Sequence, residues 1–160
     1  MRDAGVIFRQ DYLKYMSILF SRQCEYALQA VIYLALKKDG ERVATNVLTR
    51  RLKIPYHFLG KILQSLTKKG LLRSEKGPRG GFSLALPADE ITLFHIVEAI
   101  DGAAFTRTCV LGFEECSGKN PCSVHDAWAV QRDAIYQMLV NRNIAEMARD
   151  MKKPEYQTRR

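Results

Sequence analysis

The sequence predicts a mainly α protein with a small β-hairpin wing: a winged helix-turn-helix unit followed by a long C-terminal dimerisation helix. Three observations predict it. Two short amphipathic stretches meet at Lys53-Ile54-Pro55, and the second has a polar, basic outer face. Two short strand-like runs flank Gly77-Pro78-Arg79-Gly80-Gly81. Beyond them, apolar residues from Ala127 to Leu139 recur at helical spacing and offer more surface than a small winged unit can cover. The expected organisation is an N-terminal extension over 1–15, a winged unit over 16–90, a loop and dimerisation helix over 91–150, and a basic disordered tail over 151–160.

Met16-Ser17-Ile18 is a second possible start, which is why residues 1–15 are set apart. Ser21 is a fitting N-cap for a first helix whose Cys24, Ala27, Leu28, Val31, Ile32, Leu34 and Ala35 share a face. Lys37 and Lys38 then suit a negative helix end, and Gly40 closes it. Arg22, Gln23 and Glu25 mark its exposed start. A second helix is expected over Thr45–Leu52, with Val47, Leu48 and Leu52 inward. A third spans about Tyr56–Lys69, starting after Pro55 and stopping at Gly70. Phe58, Leu59, Ile62, Leu63 and Leu66 form its inner stripe, and His57, Gly60, Lys61, Gln64, Ser65 and Lys68 its outer face. Strands are expected at Leu71–Lys76 and Phe82–Leu86, with Arg79 at the hairpin tip. A fourth helix runs from the cap Thr92 to Gly102, with His95 on it as a packing or surface residue. The long helix covers about Ser123–Leu139, and Ile144, Met147 and Ala148 mark a last short one.

Charge separates the halves. Residues 22–86 hold 13 Lys/Arg against 4 Asp/Glu, whereas residues 87–150 hold 5 against 10. A generally basic surface would not change sign midway, so the first half points to a polyanion, most simply double-stranded DNA. Tyr56, His57, Lys61 and Gln64 are placed to meet it from the third helix, and Arg79 and Gly80 from the wing. No run of about 18 apolar residues exists, so no membrane span is expected. The N-terminus lacks the basic and apolar pattern of a signal peptide, and the expected location is the cytoplasm, where thiols stay reduced. No paired carboxylates, nucleophile–base pair or phosphate loop argues for an enzyme.

Three of the 4 cysteines lie in one stretch, Cys109, Cys116 and Cys122, followed by His125, with six, five and two residues between successive members. Gly112, Gly118, Asn120 and Pro121 bend the chain between them. Buried single cysteines favour apolar faces of helices or strands, whereas soft ligands on a bendable loop suit a metal or an iron–sulfur cluster. Zinc held by Cys109, Cys116, Cys122 and His125, or bare thiols that sense oxidants, are the alternatives left open by the residues alone.

Together these pieces resemble the winged-helix iron–sulfur regulator family of the IscR/NsrR type. The matching residues are Glu25-Tyr26-Ala27-Leu28, Ile54-Pro55 with Phe58-Leu59, Lys69-Gly70-Leu71-Leu72, the wing Gly77–Phe82 and the three cysteines. The resemblance covers about Met16 to Met151. It implies a homodimer on a palindromic operator, acting as a transcriptional regulator, in the main a repressor. It also implies an iron–sulfur cluster on Cys109, Cys116 and Cys122, with 2Fe–2S preferred to 4Fe–4S, that tunes DNA affinity in response to redox, nitric oxide or cluster status. The fourth ligand is His125 in some relatives and an acidic residue at the start of the first helix in others, here Glu25. Cys24 beside it is a third candidate. The first cysteine interval departs from that of the best-known members, being six residues where they have five.

Overall fold

The structure is a computed structural model that describes residues 19–112, 118–119 and 121–150. The expected extension over 1–15, Cys116 and the basic tail lie outside the described residues.

Helix α1 spans Arg22–Ala35. Ser21 caps it as expected, its hydroxyl accepting from the Cys24 amide at 3.1 Å. The helix stops before Gly40. Leu36 ends it, and Gly40 sits four residues later in a turn at φ +75°. Helix α2 spans Thr45–Leu52 and α3 spans Tyr56–Lys68. The turn between them depends on Lys53, held in the left-handed region at φ 56°, which lets Ile54 drop into the core and Pro55 start α3. The other end of α3 is a Schellman turn. The Leu71 amide donates to the Leu66 carbonyl and the Gly70 amide to that of Thr67, both at 3.0 Å, with Gly70 at φ +76°.

The wing pairs β1 (Leu72–Glu75) antiparallel with β2 (Gly81–Leu84), from Leu72 opposite Leu84 to Glu75 opposite Gly81. Both strands are shorter than the sequence pattern predicts. A third segment adds to them: Val43 and Phe82 exchange backbone hydrogen bonds at 2.9 and 3.0 Å. A Cβ on Gly81 would lie 2.6 Å from the Val43 carbonyl, so this bridge requires glycine.

Helix α4 spans Leu93–Ile100. Thr92 caps it, and His95 completes a capping box by accepting the Thr92 amide on Nδ1 at 3.2 Å. A 3-10 turn at Ala104–Thr106 follows, then α5 at His125–Val140 and α6 at Ile144–Asp150. Helix α5 begins two residues later than its expected start at Ser123. Helix α6 folds back: the Ile144 amide donates to the Ile91 carbonyl at 2.8 Å and that of Ala145 to Ala88 at 3.1 Å. Ile91, Ile96, Ile144 and Ala148 therefore join the core built by α1 to α3 and the wing.

A second small cluster joins Cys24 of α1, Val97 of α4 and Leu139 of α5, with Ile135 beside it. The apolar pattern of the long helix sets Trp128, Ile135 and Leu139 partly against a second copy of it, but Leu139 is covered by α1 and α4 of its own chain, at 1 % exposure, with Ile135 beside it. Among the described residues no helix is long and apolar enough to cross a membrane.

Candidate nucleic-acid interface and cysteine loop

The inner stripe of α3 is Leu59, Ile62, Leu63 and Leu66, all without exposed surface. This spacing turns His57, Lys61, Gln64 and Lys68 outward together, each exposed. Tyr56, 53 % exposed, leads the helix with its ring edge-on to His57. Phe58 departs from expectation. It lies about 100° around the helix from Leu59, outside a stripe already filled, and 39 % of it remains exposed. Its ring meets Tyr26 of α1 edge-on at 5.7 Å.

Arg79 is exposed at the wing tip, where the Gly80 amide closes the turn by donating to the Gly77 carbonyl at 2.9 Å. A side chain on Gly80 would collide with the Glu75 carbonyl. Gly80 thus serves the hairpin's own close packing, and Arg73, Lys76 and Arg79 are all exposed on the wing. Arg42 pairs with Glu75, the last residue of β1, at 2.9 Å. Both partners are well exposed, so the pair contributes at most about 1 kcal/mol.

Sequence reasoning missed Arg22 and Tyr26 as part of this surface. They lie one turn apart on α1, and the Arg22 guanidinium sits 5.8 Å from the Tyr26 ring centre and bonds Glu25 at 2.7 Å. The i, i+4 spacing of an arginine and an aromatic at a helix start was the available signal.

The cysteine loop joins α4 to α5. At its base the Trp128 indole donates to the Thr108 carbonyl at 2.8 Å, tying the residue before Cys109 to the second turn of α5. Cys109 is buried and its carbonyl accepts the Gly112 amide at 3.0 Å. Cys122 is exposed, and its carbonyl accepts the amide of His125, the first residue of α5, at 3.0 Å. Cys109 and Cys122 are thiols, not disulfide halves. Among the described residues no three Cys, His, Asp or Glu side chains gather as a metal site. The donor set nevertheless suits a soft metal in its chemistry: three thiols and an imidazole on a loop whose two ends are fixed to one helix.

The two other ligand candidates sit on α1. Cys24 has no exposed surface. Burial, then the carboxylates of Asp101 and Glu25, push its thiol up to about 12. Glu25 is engaged by Arg22. Asp101, the residue before Gly102 and the loop, accepts the Ser21 amide at 2.8 Å and also the Ser21 hydroxyl, so the loop's first anchor is the N-cap of α1.

A helix-turn-helix whose outer helix carries exposed basic and polar side chains beside a basic wing is the architecture of a DNA-binding transcriptional regulator. The chain belongs to the Rrf2 family, described as iron-dependent transcriptional regulators, whose model matches residues 20–150. Its relatives include a helix-turn-helix-type transcriptional regulator of Aquifex aeolicus, 38 % identical over 132 residues, covering 81 % of this chain and 91 % of the relative. The regulator IscR of Pectobacterium atrosepticum is 30 % identical over 122 residues, covering 76 % of this chain and 74 % of that protein. The fold is also that of CymR, the global cysteine regulator of B. subtilis, with a TM-score of 0.73, 22 % identity and coverage of 84 % and 98 %. The family's members are transcriptional regulators and not enzymes.

Proposed function

We propose that the protein is a homodimeric repressor of palindromic operators whose DNA affinity is set by an iron–sulfur cluster, 2Fe–2S in preference to 4Fe–4S. Cys109, Cys116 and Cys122 would hold it, with His125 as the fourth ligand. The observation that carries this is the Trp128–Thr108 hydrogen bond, which keeps the Cys109 end of the loop beside the helix on which His125 stands. When bound, the cluster supplies chemistry sensitive to oxidants and nitric oxide. The chain's own residues do the rest. The loop leaves α4 at Gly102, next to Asp101, and Asp101 holds the cap of α1, whose first turn carries Arg22 and Tyr26 beside α3. A change in the loop would therefore reach Asp101, the support of the DNA-facing surface, through the 3-10 turn at Ala104–Thr106. Tyr56, His57, Lys61 and Gln64 would face the major groove, with Arg79 and Gly80 of the wing at the minor groove.

The proposed dimer would use the exposed apolar residues of α5. Ala127, Val130, Ala134 and Met138 recur at helical spacing on the side away from Leu139, and Val130 and Met138 are 65 % and 47 % exposed.

The test is iron and sulfide content with a visible spectrum on anaerobically purified protein. Serine at Cys109, Cys116 or Cys122 is expected to abolish the chromophore. His125→Ala and Glu25→Ala separate the fourth-ligand choices, since loss of the true ligand alters the spectrum. A second reading keeps the DNA-binding dimer with bare thiols or structural zinc in place of a cluster. A colourless protein after anaerobic reconstitution, with zinc or with no metal, would establish that reading instead.

A further inference from the structure

Beside the exposed row of α3 runs a shallow groove that shares His57 and Lys61 with the proposed contacts and adds a floor they do not use. It is lined by Arg22, Tyr26, Pro55, His57, Phe58 and Lys61. Its floor is apolar: the Tyr26 and Phe58 rings meet edge-on at 5.7 Å with Pro55 beside them. Its rim carries Arg22, oriented by Glu25 and by the Tyr26 ring, and the exposed Lys61. Phe58, 39 % exposed on this side of α3, gives the groove an apolar contact surface. On duplex DNA the apolar group within a helix's reach in the major groove is the thymine C5 methyl, and it is flanked by phosphates. An apolar floor between two cations matches that arrangement in both charge and polarity. Resting on the DNA-binding reading above, we propose that Phe58, backed by Tyr26, receives a thymine methyl and so determines specificity at one position of each half-site. Arg22 holds a neighbouring phosphate.

The experiment uses the full-length protein and duplexes that it enriches from a random-sequence library. Each thymine of an enriched duplex is replaced in turn by uracil, which lacks the methyl. One position per half-site is expected to weaken binding about fourfold, as burial of one methyl predicts. Phe58→Ala is expected to abolish that uracil penalty, whereas Phe58→Leu, which keeps an apolar surface, retains most of it. Arg22→Gln is expected to lower the slope of log affinity against log salt by about 1 per half-site and to leave the uracil penalty in place. Equal binding of uracil and thymine at every position, or a full penalty in the Phe58→Ala protein, overturns the inference and leaves the DNA-binding reading standing. Failure to enrich any sequence overturns both.

Discussion

Cys24 and Phe58 carry opposite lessons about single residues. The periodicity of α1 places Cys24 inward, and it lies between Val97 and Leu139 with no exposed surface. What the sequence did not reveal was how completely it is shielded, because the neighbours that cover it come from α4 and α5. Its thiol is pushed up from 9.0 to about 12 by burial and two carboxylates. The folded state therefore holds a proton that the unfolded state releases once the pH passes 9. The stabilisation is fully present below that pH and is lost as pH rises toward 12, by about 1.4 kcal/mol per unit. Urea unfolding at pH 8, 9 and 10 should show this extra decline in the wild type and not in Cys24→Ala, once the constant cost of the truncation is subtracted. Parallel curves would mean that the thiol already titrates normally. Phe58 was expected inward because it adjoins the stripe in sequence. Four leucine and isoleucine side chains fill that stripe without it, and the neighbouring Tyr26 ring holds it at the surface.

Among the elements, α5 has two faces that the apolar pattern alone cannot tell apart. Both carry apolar residues at helical spacing, and periodicity does not say which face meets its own chain. The structure assigns Leu139 and Ile135 to the contact with α4, where Phe94 and Tyr136 also stack edge-on at 5.2 Å. Leu139→Ala should therefore cost about 2–5 kcal/mol of folding stability in denaturant unfolding. Met138→Glu should leave the fold of each chain intact, judged by circular dichroism, and convert the proposed dimer to monomer in light scattering. A dimer that survives both Met138→Glu and Val130→Glu would show that the copies meet elsewhere. The wing was more legible. Glycine-rich hairpin chemistry located its tip within a residue, since Gly77 and Gly81 take φ +108° and +151°. The pairing of Val43 with Phe82 was not legible, because one bridging residue carries no period.

Across the whole molecule, the reversal of charge between the halves matches the division of labour in the fold. The basic half contains α1 to α3 and the wing, and the acidic half contains the loop and α5. What connects them is small and specific. Ser21 caps α1 through the Cys24 amide and at the same time donates its own amide and hydroxyl to Asp101 at the end of α4. Asp101 is the last residue before Gly102 and the cysteine loop. If loop state reaches the DNA face along this link, weakening it should uncouple the two without removing either. Asp101→Asn keeps the shape and one acceptor oxygen but gives up the charge that strengthens both hydrogen bonds. The expected cost in stability is about 1 kcal/mol, similar to loss of a helix cap. The diagnostic readout is the ratio of operator affinities between cluster-loaded and cluster-free protein. That ratio should fall toward one in Asp101→Asn, while the visible spectrum of the loaded form stays that of the wild type. Ser21→Ala, which removes the hydroxyl from the other side, should do the same. An unchanged ratio in both variants would instead route the signal through α5 and the proposed dimer contact.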